Sequence, residues 1–271
     1  MAYRTLLTHV TMDRGCAARL RMTIGVARAL SVQAIGMGAQ APWPFDRAGE
    51  GRGSDYDQLV EAARTDIAAA EGVFQDTCSK AGIAASWRSE VAYPNDAMTR
   101  HARVADLFLA YRRISGDATA YVMPDSLLME AGTPVLFMPT REREFKADRV
   151  VFAWKNTREA RRALALSLPL LVKAKRVLVA AVCRDRELEA VERELSDVAQ
   201  RMQGHGISAT TLAEVDSPGA AGRKLLRIAQ ADQSDLIVSG GFGHSRMREW
   251  VMGGVTHDLI ADGRQYVLLI H

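Results

Sequence analysis

The segment Asp235-Leu-Ile-Val-Ser-Gly-Gly-Phe-Gly-His-Ser245 decides the fold class of this chain. Its apolar first half is typical of a buried strand, and its glycines permit backbone conformations that other residues avoid. A second glycine pair, Gly253-Gly254, opens a predicted helix over residues 255–261. A helix start presents unpaired N–H groups and the positive end of the helix dipole, which together favour a phosphate. Strand, glycine turn and helix start therefore predict an anion pocket, and a nucleotide is the occupant that fits it best.

Outward from this segment, the same succession of elements occurs twice, with a period of about 145 residues. The predicted strands are 3–10, 32–37, 84–91, 105–110 and 134–138 in the first half, and 149–154, 176–182, 208–215, 234–239 and 266–270 in the second. The main predicted helices are 16–30, 56–81, 158–172, 186–203 and 255–261. Strands that alternate with helices predict an α/β fold with a mainly parallel sheet covered on both faces.

The repeat predicts two domains, residues 1–139 and 149–271, each a doubly wound α/β domain with a five-stranded parallel sheet. The polar and charged segment 140–148 is the predicted linker between them. Residues 39–55 hold proline, several glycines and mixed charges, and they predict a loop of the first domain.

Composition indicates an ordinary globular protein, since 48% of the 271 residues are apolar and 25% are charged. With a net charge of +3 and no Lys/Arg block, we expect no nucleic-acid partner. No window reaches the roughly 18 apolar residues of a membrane span, so we expect no membrane partner. Three cysteines without metal-type spacing predict no metal site and a reducing, cytoplasmic location. Cys16, at a predicted helix start, is either an activated thiol or a small core residue.

The two halves differ at the edge where a ligand would bind. In open α/β sheets, ligands bind beyond the carboxyl ends of the strands, where the strand order reverses. In the second half, Lys155 follows the first strand and the glycine segment follows the fourth. The corresponding segment of the first half, after Tyr111, has the single glycine Gly116 before Pro124. We therefore predict ligand binding in the second half alone.

With these residues in place, the chain resembles a tandem universal stress protein. Nucleotide-binding members show Gly-x-x-Gly, nine residues, then Gly-Ser or Gly-Thr, and this chain has Gly240-x-x-Gly243, nine residues, then Gly253-Gly254. The opening of the second half, residues 151–164, is also similar to family openings. The resemblance implies domains of the adenine nucleotide alpha hydrolase type, with ATP or another adenine nucleotide as the ligand. It also implies that strands 134–138 and 266–270 pair in an intrachain pseudo-dimer; association of two chains as a homodimer is left open.

Two positions depart from the family pattern. The family places an acidic residue just after the first strand, where this chain has Lys155, and a hydroxyl where it has Gly254. Thr256 follows two residues later, and the backbone N–H groups of residues 254–256 can still hold a phosphate. A lost charge-assisted hydrogen bond weakens binding about tenfold or more without abolishing it.

The candidate ligand residues are Lys155, Gly240, Gly243, His244, Ser245, Gly253, Gly254, Val255 and Thr256. Several have an ordinary alternative. The glycines can form a simple tight turn, and Lys155 and His244 can be solvated. Ser245 can cap a short helix over 246–252, and Thr256 can be an ordinary first-turn residue.

The sequence predicts no catalytic residues, because no nucleophile is matched by a base and no Walker A pattern is present. The leading hypothesis is a regulatory stress-response protein whose residues 240–254 respond to nucleotide and act on an unknown protein partner. The second is a nucleotide-independent interaction module with degenerate sites, and the third a weak ATP hydrolase.

Overall fold

The computed structural model describes residues 2–42, 53–112, 122–241 and 254–271. Within these ranges the strands are β1 (Thr5–His9), β2 (Gln33–Ala39), β3 (Ala85–Glu90), β4 (Leu107–Tyr111), β5 (Val135–Met138), β6 (Arg149–Ala153), β7 (Arg176–Cys183), β8 (Ala209–Val215), β9 (Leu236–Gly240) and β10 (Tyr266–Ile270). The α-helices are α1 (Cys16–Leu30), α2 (Gly53–Lys80), α3 (Pro94–Arg100), α4 (Pro124–Glu130), α5 (Arg158–Leu171), α6 (Leu188–Gln203), α7 (Ala221–Ala231) and α8 (Gly254–Asp262). This alternation confirms the predicted α/β class.

The chain forms two units, residues 3–133 and 134–271. In the first unit the strand order is β3-β2-β1-β4, and the neighbours are parallel. In the second unit the order is β5-β10-β9-β6-β7-β8. Its strands are parallel except that β5 runs antiparallel to β10.

Continuous apolar runs form the inner strands because helices cover both faces of each sheet. All five residues of β10 are buried, as are Leu236, Ile237 and Val238 of β9. The helices contribute one apolar face each. On α5, for example, Ala163, Leu164, Leu170 and Leu171 are buried, whereas Arg161 and Ala165 are exposed.

In the first unit, the Trp87 ring packs on β2 at its two glycines, Gly36 and Gly38. A Cβ atom at Gly36 would lie 2.5 Å from the Trp87 ring, and one at Gly38 would lie equally close. The indole ring therefore packs directly on the backbone of β2. Phe74 of α2 covers it, with 5.6 Å between the ring centroids. The Trp87 indole N–H is buried and has no hydrogen-bond partner within the described ranges.

The predicted pairing of the two closing strands is confirmed. β5 pairs with β10 through Phe137 opposite Val267 and Leu136 opposite Leu268. The segment that follows β5 also packs on β10, because the buried Phe145 ring meets the Tyr266 ring edge-on at 5.0 Å between centroids. The Tyr266 hydroxyl donates a hydrogen bond to the Arg143 carbonyl at 2.9 Å. The predicted linker is thus attached to the second unit.

Some boundaries differ from the sequence prediction. Residue 39 belongs to β2 and α2 begins at Gly53, so the predicted loop 39–55 is too long at both ends. Residues 185–187 form a 3₁₀ turn ahead of α6, because the Glu187 carboxylate accepts the Arg184 backbone N–H. Cys16 does begin α1, but burial raises the pKa of its thiol, so it is a core residue. Among the described residues no helix is both long and apolar enough to cross a membrane.

Candidate functional site

The strand order of the second unit reverses beside β6. From β6 the chain moves to β7 on one side, and it later returns to β9 on the other. The loops that follow β6 and β9 therefore leave the same edge of the sheet in different directions, which opens the crevice where α/β proteins bind ligands. Lys155 lies in the first of these loops, and Gly240 ends β9 where the second begins.

Gly240 brings the two loops together. A Cβ atom at this position would lie 2.6 Å from the backbone nitrogen of Ala160 and 2.7 Å from the carbonyl carbon of Glu159. Only a residue without a side chain allows the first turn of α5 to lie this close to the end of β9. The sequence prediction gave Gly240 a ligand role, whereas the contact found here is with helix backbone.

A tight turn carries Lys155 between β6 and α5. The Thr157 backbone N–H donates to the Lys155 carbonyl at 2.6 Å. The Thr157 hydroxyl then accepts the Ala160 N–H at 3.2 Å and caps α5. The Lys155 side chain is exposed, and its ammonium group meets no acceptor among the residues that the structure describes.

Glu194 of α6 holds this loop, and the sequence analysis did not identify it. One carboxylate oxygen accepts the Trp154 indole N–H at 3.4 Å, and the other accepts the Asn156 amide at 3.2 Å. Arg161 donates to the Asn156 amide oxygen at 2.6 Å, so loop, α5 and α6 are connected. Trp154 is buried and packs below the loop. Helical periodicity gives no signal for Glu194, because an acid at the margin of an amphipathic helix resembles any solvated one.

Glu159, in the first turn of α5, places a carboxylate beside the crevice. The residue is 2% exposed, one carboxylate oxygen accepts from Arg158 at 3.2 Å, and the other has no hydrogen-bond partner among the described residues. Burial alone would raise the pKa of Glu159, but the donor groups around it, its own backbone N–H, Thr157 and Arg158, outweigh burial and lower that pKa. A buried, ionised carboxylate disfavours an anion placed next to it.

The start of α8 lies at the same edge of the sheet. Because β9 and β10 are parallel neighbours, the helix between them runs back from the carboxyl to the amino edge. Gly254 is exposed, Val255 is half-buried, and Thr256 is buried at 4% exposure. A Cβ atom at Gly254 would meet no atom of the described ranges within 4 Å. The remaining predicted ligand residues, Gly243, His244, Ser245 and Gly253, lie outside the described residues, as does the predicted helix 246–252.

Side chains of the protein itself occupy the corresponding edge of the first unit. The Asp13 carboxylate accepts the Gly15 backbone N–H at 2.7 Å, so the start of α1 already holds an anion. Arg19 donates to that carboxylate at 2.8 Å and to the Thr11 carbonyl at 2.9 Å. Its guanidinium lies 4.3 Å from the ring centroid of Tyr111 at the end of β4. Arg19 therefore spans the reversal point between β1 and β4.

His9 has a structural role at this edge. Its Nε2 donates to the Ala39 carbonyl at 2.8 Å, while Nδ1 is buried and finds no partner in the part of the chain that the structure describes. Burial is the main cause that lowers the pKa of His9 to about 4, and the Arg19 charge adds to it. The Ala39 hydrogen bond and the Asp13 carboxylate oppose this shift. The imidazole is consequently neutral at physiological pH.

Other features of the described residues give no catalytic or metal site. Within that part of the chain no group of three or more His, Cys, Asp or Glu side chains could hold a metal. A cavity of about 270 Å³ lies at the amino edge of the second unit, between α7 and the turn into β10. Its Arg264 is already paired with Asp262 at 2.7 Å and with Gln230 at 3.3 Å. This cavity is therefore separate from the reversal point beside β6.

Comparisons with known proteins rest on structure alone, since no family model and no curated protein matches the sequence. A universal stress protein from Archaeoglobus fulgidus DSM 4304 matches with a TM-score of 0.72 at 14% identity, over 98% of this chain and 95% of that chain. The chain has the universal stress protein fold. A functionally unknown protein from Pseudomonas aeruginosa PAO1 also matches, with a TM-score of 0.64 at 17% identity, over 99% of this chain and 92% of that chain. Both matches extend over the two halves, so the universal stress protein fold accounts for the tandem repeat.

Proposed function

We propose that the second unit, residues 134–271, binds an adenine nucleotide and that the protein is a regulatory stress-response protein controlled by this binding. The contact of Gly240 with the first turn of α5 is the observation that carries the proposal. It joins the loop of Lys155 to the end of β9 at the reversal of strand order, where α/β proteins bind ligands. The universal stress protein fold is consistent with this assignment.

The charges suggest how a nucleotide would be oriented. The start of α8 offers backbone N–H groups and the positive end of a helix dipole, and Lys155 offers an ammonium group that meets no acceptor in the described part of the chain. Both favour phosphate. We therefore place the phosphates towards Gly254–Thr256 and Lys155.

One nucleotide per chain is proposed. In the first unit, the anion position at the start of α1 is taken by Asp13, and Arg19 lies across the reversal point. A ligand there would have to displace an ion pair and a guanidinium–aromatic contact. In the second unit, the Lys155 ammonium has no such partner among the described residues.

Binding would act as a switch and not as turnover. Described residues of the crevice hold no nucleophile paired with a base, and Glu159 is hydrogen-bonded to its neighbours. Nucleotide contacts to residues 240–254 would favour one conformation of that surface, which a protein partner then recognises. We place this interaction in the cytoplasm, where ATP and ADP are present.

An interaction module that binds no nucleotide is the second candidate. Lys155 and Gly254 favour it, because they replace the acid and the hydroxyl found in nucleotide-binding relatives of the resembled family. A weak ATP hydrolase is a third candidate, and phosphate release measured with Mg²⁺ would identify it.

Calorimetric titration and thermal shift with ATP, ADP and AMP test the proposal. We expect nucleotides to raise the melting temperature, with ATP and ADP binding more tightly than AMP. Lys155→Met should weaken ATP binding about three- to tenfold. Lys173→Met removes an exposed lysine beyond α5 and should leave the affinity unchanged. Absence of any shift at millimolar nucleotide would overturn the proposal in favour of the interaction module.

A further inference from the structure

Glu194 connects α6 to the loop that carries Lys155, although it lies 40 residues further along the chain. Both of its carboxylate oxygens are used, one by the Trp154 indole and the other by the Asn156 amide. We infer that Glu194 is a positioning residue that orients Lys155 for anion binding. This inference rests on the proposed function, because it assigns a cause to the availability of Lys155.

The position of Lys155 between two held residues supports this role. Trp154 and Asn156 both donate to the same carboxylate on α6, so Glu194 holds the residue on each side of Lys155. The Lys155 side chain between them is exposed and meets no acceptor among the described residues.

The groups that donate to Glu194 also make an ion pair between Glu194 and Lys155 unnecessary. Glu194 is satisfied by two neutral donors, an indole and an amide, so its charge does not need Lys155 as a partner. Arg161 binds the Asn156 amide oxygen and so fixes which end of that amide faces Glu194. The loop is thus held from α6 and from α5 while its cation is left for a ligand.

Two effects of Glu194 must be separated in any test. Its negative charge weakens the binding of a nearby anion, whereas its hydrogen bonds favour binding by positioning Lys155. Glu194→Gln removes the charge and keeps an acceptor for one of the two bonds. Glu194→Ala removes the charge and both bonds. The comparison of these two variants therefore isolates the positioning effect.

The experiment measures ATP affinity by calorimetry in a double-mutant cycle with Lys155→Met. We expect Glu194→Gln to bind at least as tightly as the parent, and Glu194→Ala to bind about three- to tenfold more weakly than Glu194→Gln. In the Lys155→Met background this difference should disappear. Glu192→Ala, an exposed acid on the same helix, is the matched control and should not weaken binding. Equal affinities of the Gln and Ala variants, or a difference that persists without Lys155, would overturn the inference.

Hydrogen exchange without ligand distinguishes this inference from the proposed function. Amides of residues 154–157 should exchange about three- to tenfold faster in Glu194→Ala than in Glu194→Gln. If the parent binds no nucleotide, the proposed function fails, and faster exchange in the Ala variant alone would still support a loop held by Glu194. Equal exchange in both variants would show that Glu194 does not hold the loop.

Discussion

Gly254, the first residue of α8, is the position where the proposed nucleotide site lacks the hydroxyl of the resembled family's pattern. No atom of the described residues lies within 4 Å of the point where its side chain would begin, and its backbone lies outside the left-handed region that favours glycine. A serine is therefore sterically allowed there. We predict that Gly254→Ser tightens ATP binding about tenfold, because a hydroxyl bound to phosphate forms a charge-assisted hydrogen bond. Calorimetric titration measures this.

Gly254→Ala is the control for the serine variant. It makes the same change in backbone freedom without adding a donor, so its affinity should stay near that of the parent. If the two variants bind ATP alike, the start of α8 does not contact phosphate.

His9 makes the stability of the protein depend on pH. Its pKa is lowered to about 4 in the folded state against 6.5 unfolded, so the stabilising neutral state is fully retained above pH 6.5. As the pH falls from 6.5 towards 4, the unfolded chain binds a proton that the folded chain excludes. We predict a loss of roughly 1–2 kcal/mol in the free energy of unfolding between pH 7 and pH 5, measured by urea denaturation.

The control for this pH dependence is a histidine on the surface. His9→Gln should remove this part of the loss, whereas His257→Gln, at an exposed position of α8, should leave it in place. A parent and a His9→Gln variant with the same pH dependence would contradict the burial argument.

At the scale of the elements, the position of α5 depends on Gly240 of β9, which lies 80 residues after Ala160. We predict that Gly240→Ala lowers the free energy of unfolding by about 1–3 kcal/mol, because the added methyl group overlaps the helix backbone at Ala160. The same displacement should weaken ATP binding, since it moves the loop of Lys155. Denaturant unfolding and calorimetry measure the two effects.

Gly72 provides the matched substitution, since it lies exposed within α2 with nothing within 4 Å of its Cβ position. Gly72→Ala should stabilise the protein by about 0.5–1 kcal/mol through helix propensity. A Gly240→Ala variant as stable as the parent would show that α5 can move at no cost.

The sequence predicts the bounds of helices and strands better than it predicts contacts between residues far apart in the chain. The bounds of α1 and β10 agree with the prediction, because their periodicity and burial are set by local pattern. The contacts of Gly240 with Ala160 and of Glu194 with Trp154 join distant residues, so no local pattern contains them. The same limit explains Cys16, whose helix start was predicted but whose burial depends on packing from other elements.

At the scale of the whole molecule, β5 joins the second unit through β10. We predict that a fragment of residues 134–271 is folded and melts at a higher temperature than one of residues 149–271, the predicted domain. The shorter fragment lacks β5 and the Phe145 contact, and so exposes the buried edge of β10. Thermal melting and size-exclusion chromatography compare the two.

A Phe145→Ala variant of the longer fragment separates the contribution of the Phe145 ring from that of the β5–β10 strand pair. It should lose about 3–5 kcal/mol through the missing ring while keeping the strand pair. If both fragments melt alike, the second unit is complete without β5, and the predicted boundary at residue 149 describes it better.

The indole of Trp87 packs on the backbone of Gly36 and Gly38, and it provides an intrinsic fluorescence probe of the first unit. Trp154 does the same for the second unit. In a background where the other tryptophans are replaced by phenylalanine, emission from either ring would follow the unfolding of one half at a time. Ligand titrations could then be assigned to a half of the chain without any attached dye.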